Sequence, residues 1–438
     1  FINDAKEESV NTILEMAEYK KTGSCKVLVV TGCMAQRYKN EIIEEVPEVD
    51  AVLGTTSYGD ILKAIREAME GKHFQEFKDI DYLPEKLGKR VLTTGGHFGY
   101  LKIAEGCDKH CTYCIIPKLR GKFRSVPMER LVTQAKEMAE EGVKELILVA
   151  QETTVYGTDI YGKKSLHILL KELCKIKGIR WIRVLYCYPE EIYDELIQTM
   201  KEEKKICHYL DLPIQHASDA ILKRMGRRTS KQQLIDTITK LRKEIPDIAL
   251  RTTLITGFPG ETQEQHEEVM EFVDEMEFER LGVFTYSPEE DTPAATMPDQ
   301  IDEEVKEDRQ ADIMELQQEI AFEKAGIIKK DVPALVGEID RHSVAQVFAD
   351  AAVKAGTLVY FAQDEGLLKE SYLMDTGEWY LDSAEYGQLF GELGGVVQFR
   401  NATTVLGAIN LLNTVGVNIP TEAVREGFEH VVELTGLM

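Results

Sequence analysis

Short apolar runs alternate with longer amphipathic stretches through the middle of the chain. The runs favour β-strands, and the stretches between them, with apolar residues three and four positions apart, favour helices. Repeated strand–helix alternation indicates a parallel βα array, here an open or partial barrel of six strand–helix units. The predicted strands cover 99–105, 145–151, 181–188, 207–213, 248–257 and 280–286, and the predicted helices cover 127–141, 165–177, 190–204, 218–244 and 262–276.

The segment after the first predicted strand contains Cys107, Cys111 and Cys114, spaced as Cys-x-x-x-Cys-x-x-Cys. Functional residues of βα arrays lie at the carboxyl ends of the strands, where this loop begins. Three thiolates can each bind one iron of a 4Fe–4S cluster and leave the fourth iron open to a small ligand. Structural zinc would need a second Cys-x-x-Cys pair, which the sequence lacks. Because the open iron of such a loop chelates the amino and carboxylate groups of S-adenosylmethionine, the spacing predicts a radical S-adenosylmethionine site.

Composition limits the cellular compartments and the classes of partner that fit this chain. The chain has 438 residues, eight cysteines and a formal net charge of −24. So few cysteines cannot form a disulfide scaffold, and neither a leader nor a long apolar run is seen, so we expect a reduced, cytoplasmic protein with no membrane partner. The acidity argues against a protein that coats nucleic acid and suits a basic protein partner. Cysteines without ligand spacing are expected to be buried as small hydrophobic residues, namely Cys174, Cys187 and Cys207.

These motifs resemble those of the radical S-adenosylmethionine methylthiotransferases over residues 1 to about 320. That family has an N-terminal domain in which three cysteines hold a second 4Fe–4S cluster that helps to deliver sulfur. VVTGCMAQRY (29–38) is similar to one ligand segment of that domain, so the resemblance implies that Cys33 is a second-cluster ligand. FINDAKEES resembles the stretch that follows another ligand, so we expect the other two ligands upstream of Phe1. The resemblance also implies S-adenosylmethionine as cofactor and an external electron donor.

Two further segments favour one branch of this family. YLDLPIQHASDAILKRMGRR (209–228) and LGVFTYSPEEDTPAA (281–295) resemble the branch that adds a methylthio group to the β-carbon of an aspartate in small-subunit ribosomal protein twelve. The branch that modifies an adenosine of tRNA usually carries a His-Leu-Pro and Gln-Ser version of the first segment. Acidity favours the ribosomal-protein branch, because tRNA binding needs a basic surface. We therefore predict aspartate methylthiolation without sequence-specific nucleic-acid binding, with tRNA adenosine methylthiolation as the alternative.

The predicted cofactor contacts lie on the cysteine loop and at two strand ends. An aromatic residue between the second and third cysteines matches the family's position beside the adenine, and plain packing under the loop is the alternative. The polar residues that end the second strand could meet the amino acid part of the cofactor. A Gly-Phe-Pro-Gly turn follows the fifth strand, where the family places further contacts. The predicted cofactor-binding residues are Tyr113, Glu152, Thr153, Gly257, Pro259 and Gly260.

No catalytic residue is assigned from the sequence. His216 follows the fourth strand and could act as a general base, but a hydrogen bond to the backbone explains it equally well, and hydrogen abstraction by a radical needs no base. Asp211 and Gln215 are predicted to face the same mouth of the barrel. Three basic residues past the cysteines could hold the cofactor carboxylate or the target aspartate, or form a solvated turn; they are Lys118, Arg120 and Arg124.

The last part of the sequence departs from the family. After an acidic helix predicted over 302–324, residues 323–340 and 399–438 resemble folylpolyglutamate synthase of the Mur-ligase superfamily, where a small β-barrel is expected. Lys324 matches a lysine near that enzyme's magnesium, but the phosphate loop and metal-binding histidine have no counterpart, so a chimeric chain with an inactive ligase fragment is a further alternative. The predicted segments are 1–90 (the C-terminal part of the second-cluster domain), 91–300 (the radical barrel), 301–324 (a connecting helix) and 325–438 (a partial ligase-like segment).

Overall fold

A computed structural model describes residues 3–39, 41–83, 96–323, 332–337, 348–349, 352–353, 355–364, 366–374, 379–391 and 398–431. The chain divides into two compact units. The first comprises Phe1–Leu92 and Phe98–Ile320, and the second comprises Thr93–His97 and Ala321–Met438. Across the described ranges, no helix has the length and apolar character needed to cross a membrane.

A small α/β layer begins the first unit. Its sheet is parallel, with strand order β1-β2-β3, and its helices pack apolar residues such as Ala35 and Ile42 against the sheet residues Val30 and Val52. The elements are α1 (Asn3–Thr22), β1 (Val29–Thr31), α2 (Cys33–Tyr38), α3 (Glu41–Glu45), β2 (Ala51–Leu53), α4 (Ile61–Met69) and β3 (Phe74–Glu76).

A six-stranded parallel sheet forms the rest of the first unit and confirms the predicted partial barrel. Each of its strands pairs with the next along the chain, in the order β4-β7-β8-β9-β10-β11. The strands are β4 (Phe98–Lys102), β7 (Glu145–Val149), β8 (Trp181–Val184), β9 (Ile206–Gln215), β10 (Ala249–Thr256) and β11 (Arg280–Thr285), and a short antiparallel pair joins β5 (Ala104–Glu105) to β6 (Arg124–Ser125).

Helices cover one face of this sheet because alternate strand residues are apolar. On β10, for example, Leu250 and Leu254 are buried in the main core, whereas Arg251 between them lies on the opposite, open face. The helices are α5 (Ile116–Arg120), α6 (Met128–Glu140), α7 (Thr158–Tyr161), α8 (Leu166–Cys174), α9 (Asp194–Glu202), α10 (Asp219–Arg224), α11 (Lys231–Glu244), α12 (Gln263–Met276) and α13 (Glu303–Glu323).

The prediction of one helix over 218–244 is wrong, because two helices occupy this stretch. The first, α10, ends at Arg224, and α11 begins at Lys231 after a capping box on Ser230. Between them Gly226 has a φ of 74°, and a Cβ at this position would lie 2.7 Å from the carbonyl oxygen of His110. The chain breaks its helix here because it must approach the cysteine loop more closely than a side chain allows.

The second unit contains a parallel strand pair and an antiparallel sheet against which helices pack. The apolar face of its long helix contacts the sheet through Leu406 and Ile409, whereas Val405 and Leu412 are 47% and 42% exposed. Lys324 lies outside the described residues, and the ligase resemblance and the boundaries of the four predicted segments remain predictions. The elements are β12 (Ala334–Val336), β13 (Val359–Phe361), β14 (Leu368–Leu373), β15 (Trp379–Ser383), β16 (Gly387–Gly391), α14 (Gln398–Thr414) and α15 (Thr421–Glu429).

The break at Gly226 generates a stability test with a matched control. Gly162 also has a positive φ, of 68°, but a Cβ there would meet no atom within 4 Å. Gly162→Ala should therefore cost about 1 kcal/mol, which is the strain of the left-handed backbone alone. We expect Gly226→Ala to lower the free energy of unfolding clearly more, because its Cβ also displaces the cysteine loop. Denaturant unfolding of both variants measures the difference, and equal losses would contradict the close approach.

Candidate functional site

The cysteine loop is closed by backbone contacts at its base. The pairing of β5 with β6 brings the two ends of the loop together, and the Cys107 amide donates to the Gly121 carbonyl at 3.1 Å. Gly106 has a φ of 76°, and a Cβ there would lie 2.1 Å from the Lys122 carbonyl oxygen. Inside the loop, the Cys114 amide donates to the Cys111 carbonyl at 3.1 Å. The three cysteines are thus held on one tight turn at the end of the first barrel strand.

Cys107 and Cys111 of this loop are buried, and Cys114 is half-buried. Burial, together with the neighbouring thiols of Cys111 and Cys114, raises the pKa of Cys107 to about 12. Burial likewise raises the pKa of Cys114. Thiolates in such a place need positive charge beside them, and bound iron would supply it. Three thiolates can each bind a separate iron of a 4Fe–4S cluster. Among the described residues no group of three or more His, Cys, Asp or Glu side chains is placed to hold a single metal ion.

The outer side of the loop rests on the chain between α10 and α11. The Thr112 amide donates to the Met225 carbonyl at 2.9 Å, and the Thr112 hydroxyl donates to the Arg224 carbonyl at 2.8 Å. The Thr112 carbonyl in turn accepts from the Ala294 amide at 2.9 Å. One residue of the cysteine loop therefore ties it to two distant parts of the barrel.

Tyr113 packs beneath the loop, as the packing alternative predicted. Its ring meets Phe258 edge-on, with centroids 6.4 Å apart, in an apolar cluster that also contains Met225 and Tyr286. Burial raises the pKa of Tyr113 well above its ordinary range. Phe258 belongs to the Gly-Phe-Pro-Gly turn, so the structure brings together two of the predicted cofactor-binding segments.

That turn owes its glycines to close packing. Gly257 and Gly260 have φ values of 70° and 78° on either side of Pro259. A Cβ at position 257 would lie 2.3 Å from Cγ of Lys306, and one at position 260 would lie 2.4 Å from a guanidinium nitrogen of Arg224. Contacts within the protein thus account for both glycines, and their role toward the cofactor stays a prediction.

Glu152 and Thr153, at the end of the second barrel strand, differ in whether their side-chain oxygens already have hydrogen-bond partners. Glu152 is 1% exposed; its Oε1 accepts from the amide and the hydroxyl of Thr154, while Oε2 has no hydrogen-bond partner among the described residues. Burial raises the pKa of Glu152 to about 7, although the Thr154 hydrogen bonds oppose the shift. The Thr153 hydroxyl donates to the Leu185 carbonyl at 2.8 Å. Glu152 therefore keeps a buried oxygen for a ligand, whereas Thr153 is committed to the next strand.

Arg227 is a site residue that the sequence did not reveal. Its side chain is fully buried, and Nη2 reaches Glu190 and the Pro213 carbonyl, each at 3.2 Å. The guanidinium lies over the Tyr188 ring, 4.3 Å from the centroid, and the Tyr188 hydroxyl is 3.8 Å from the Cys111 sulfur. Nε and Nη1 have no partner within the described residues. Unsatisfied donors on a buried cation are costly, so an anionic ligand beside the cysteine loop would satisfy them.

His216 is a structural residue, as its alternative predicted. It is 1% exposed, its Nδ1 accepts from the Ser218 amide at 2.9 Å, and its Nε2 lies 3.7 Å from Glu261. The carboxylate of Glu261 also pairs with Arg309 at 3.2 Å, which ties α13 to the turn that begins α12. This histidine supports that turn rather than facing the mouth of the barrel as a base. Of the other two residues predicted there, Asp211 is 2% exposed and Gln215 has a φ of 74°.

The basic residues past the cysteines make contacts within the protein. Arg120 donates through Nε to the Cys33 sulfur at 3.2 Å and lies 3.4 Å from Glu105 through Nη1. Cys33, the first residue of α2, is thereby brought beside α5. Lys118 donates to the Asp291 carbonyl at 2.8 Å, and Arg124 forms an ion pair with Asp81 at 3.2 Å.

Comparisons with known proteins identify the family. Residues 101–273 match the Radical SAM superfamily, and residues 1–54 match the Uncharacterized protein family UPF0004. The ribosomal protein uS12 methylthiotransferase RimO of Lachnoclostridium phytofermentans is 63% identical over 369 residues, which cover 83% of this chain and 84% of that protein. The chain belongs to the ribosomal protein uS12 methylthiotransferase family. A relative of the same name from Clostridium botulinum strain Eklund 17B is 53% identical over 78% of this chain and 77% of its own length.

Family membership settles the class of enzyme. The chain is a radical S-adenosylmethionine transferase, and its family uses 4Fe–4S clusters and S-adenosylmethionine. A solved structure of the cobalamin-dependent S-adenosylmethionine radical enzyme OxsB aligns with a TM-score of 0.44 at 12% identity, over 99% of this chain and 66% of that one. The alignment with the Lachnoclostridium relative covers 83% of the 438 residues, so it extends past residue 324 even if it starts at residue 1. It therefore includes part of the segment that resembles a ligase.

The buried carboxyl of Glu152 predicts how stability depends on pH in the cofactor-free protein. Its pKa of about 7 in the folded chain lies above the ordinary value of 4.5, so the folded chain holds a proton that the unfolded chain releases. The stability contributed by the neutral carboxyl is complete below pH 4.5 and is lost as the pH rises to about 7. That loss is on the order of 3 kcal/mol.

Glu152→Gln has no proton to release, so its free energy of unfolding should decline less between pH 4.5 and 7. Urea unfolding of both proteins at several pH values across this window checks the expectation. Parallel pH profiles for the two proteins would show that this carboxyl does not titrate as its burial indicates.

Proposed function

We propose that the chain adds a methylthio group to the β-carbon of an aspartate in ribosomal protein uS12. The observation that carries this proposal is the 63% identity, over most of both chains, with a protein named for uS12 methylthiotransfer. The three-cysteine loop at the end of the first strand supports it, because the relatives' superfamily chemistry needs such a loop. The net charge of −24 also suits a basic ribosomal protein better than tRNA.

Cys107, Cys111 and Cys114 are the proposed ligands of the radical cluster. A bound 4Fe–4S cluster with one open iron supplies the electron that cleaves S-adenosylmethionine to a carbon radical. The protein's part is to bury the thiolates, to fix their spacing through the contacts at the base of the loop, and to keep water away from them. The Tyr188 hydroxyl, 3.8 Å from the Cys111 sulfur, closes one side of this site.

Glu152 and Arg227 are proposed to hold the amino acid part of S-adenosylmethionine. That part carries an ammonium and a carboxylate, and the two buried side chains offer a free oxygen and two free N–H donors of matching sign. An ammonium beside Glu152 lowers the pKa of its carboxyl and keeps it ionised. Tyr113 and the turn from Gly257 to Gly260 line one apolar cluster, which suits the flat adenine ring.

Cys33 is proposed as a ligand of the second cluster, on the strength of the family resemblance of its segment. Arg120 supports this role, because its guanidinium donates to the Cys33 sulfur and places a positive charge beside it. The same arginine lies at the end of α5, directly after the cysteine loop, so the two proposed cluster sites are connected through one short helix. The proposed acceptor also implies a cytoplasmic reaction and an external electron donor.

The radical-cluster assignment predicts a loss that a matched cysteine will not reproduce. Changing Cys107, Cys111 or Cys114 to Ala should abolish 5′-deoxyadenosine formation under strong reductant and lower the bound iron, because each thiolate anchors a separate iron. Cys174→Ala, in a buried helical position away from the loop, should keep both. Undiminished cofactor cleavage in any loop variant would disprove the assignment.

Methylthiolation itself is tested with recombinant uS12. We expect mass spectrometry to locate one methylthio group on an aspartate of uS12 after incubation with S-adenosylmethionine, reductant and a reconstituted enzyme that holds both proposed clusters. A methylthio group found instead on tRNA adenosine would favour the alternative function.

A further inference from the structure

The open face of the barrel carries an ion pair beneath the cofactor site. Asp211 on β9 and Arg251 on β10 are register partners, and Arg251 is also the register partner of Arg280 on β11. The Asp211 carboxylate accepts from Nη1 of Arg251 at 2.7 Å. The Asp211 side chain is only 3% exposed, whereas that of Arg251 is 39% exposed. A buried carboxylate thus holds an accessible guanidinium on the inner face of the sheet.

Short contacts link this pair to the proposed cofactor site. The second oxygen of Asp211 accepts from the Tyr186 amide at 3.2 Å. The Tyr186 carbonyl accepts in turn from the Thr153 amide at 3.1 Å, and Thr153 directly follows Glu152. Tyr186 has a φ of 58°, which is unfavourable for a tyrosine and bends the chain so that both its backbone groups make these contacts. Arg251 is therefore separated from Glu152 by a few directly bonded groups.

The guanidinium of Arg251 has unused donors and room beside them. Within the described part of the chain, the guanidinium makes one hydrogen bond, from Nη1 to Asp211. Its Nε and Nη2 donors therefore remain available. The neighbouring strand has glycine at position 282, and a Cβ there would approach nothing closer than Nη2 of Arg251, at 4.0 Å. The exposed Arg280 adds positive charge at the same level of the sheet. Arg251 thus offers two N–H donors for an anion, with no side chain on the neighbouring Gly282 to cover them.

We propose that Arg251, positioned by Asp211, binds the side-chain carboxylate of the acceptor aspartate. This rests on the proposed function, which requires an aspartate to reach the inside of the barrel. An arginine fork binds a carboxylate through two parallel hydrogen bonds, so it fixes the direction as well as the position of the side chain. Holding the carboxylate in this way presents the adjacent β-carbon in one orientation. Arg251 then sets the specificity for an acidic acceptor, and Asp211 is a positioning residue.

The experiment compares binding of two forms of uS12 to the reconstituted enzyme with S-adenosylmethionine present. One form has the acceptor aspartate, located by mass spectrometry, and the other has asparagine in its place. The wild-type enzyme should bind the aspartate form about tenfold more tightly. In Arg251→Met the ratio of the two dissociation constants should fall to about one, because no cation remains to distinguish carboxylate from amide.

Matched variants separate recognition from folding. Arg183→Met removes another arginine from the open face, one that pairs with Glu145 at 2.6 Å and is 33% exposed, and should keep the tenfold ratio. Arg251→Lys keeps the charge without the fork and should give an intermediate ratio. Asp211→Asn should lower the ratio although Arg251 is intact. The Arg251 and Arg183 variants are also assayed for 5′-deoxyadenosine formation without uS12, which should persist because cofactor cleavage does not need the acceptor.

The outcomes distinguish this inference from the function on which it rests. An Arg251→Met enzyme that cleaves the cofactor and still prefers the aspartate form tenfold overturns the role of Arg251 and leaves the proposed function standing. Loss of the ratio in Arg183→Met as well would also overturn it, because the effect would then belong to the whole face. A wild-type enzyme that neither binds nor modifies uS12 overturns both proposals.

Discussion

The contact between the cysteine loop and the chain after α10 is the constraint on which the rest of the site depends. Thr112 bonds to the backbone of Met225 and Arg224, and Gly226 lets the two segments touch. This contact interrupts what would otherwise be one long helix, and the interruption turns Arg227 inward over Tyr188. The position of a buried cation thus follows from the way the loop is held. A change in the loop's support would therefore alter the charge around the cluster as well as its ligands.

The site carries buried charges of opposite sign that the protein alone does not satisfy. Glu152 keeps an oxygen, and Arg227 keeps two N–H groups, without partners among the described residues. Buried polar groups without hydrogen-bond partners weaken the folded state. Their placement suits a site that is preorganised for a zwitterionic ligand. The free-energy cost of burying the two groups is included in folding and does not oppose binding. The neighbouring Thr153 hydroxyl and His216 Nδ1 make hydrogen bonds that hold the surrounding strands and turns in place.

Strand and helix periodicity predicted most of the barrel, because alternate burial is a property of the local sequence. The cysteine spacing likewise predicts a cluster loop, since ligand geometry is encoded within eight residues, 107–114. Arg227 was missed because its burial depends on a helix break that a single glycine inside an amphipathic pattern does not announce. The predicted role of the 257–260 glycines toward the cofactor stays a prediction, and the sequence did not show that Lys306 and Arg224, which are distant in sequence, lie beside them. Contacts between remote segments are what local patterns cannot supply.

Among the described strands, the sheet runs in simple chain order, so β4 and β11 form its two edges and do not pair with each other. A closed barrel admits only what fits through its ends, whereas a cleft along its side admits a loop that stays attached to a bulky body. A side chain on a folded ribosomal protein could therefore enter laterally while its parent domain remained outside. A protruding loop of the acceptor would then bind in this cleft, and the length of that loop would decide which proteins can be modified.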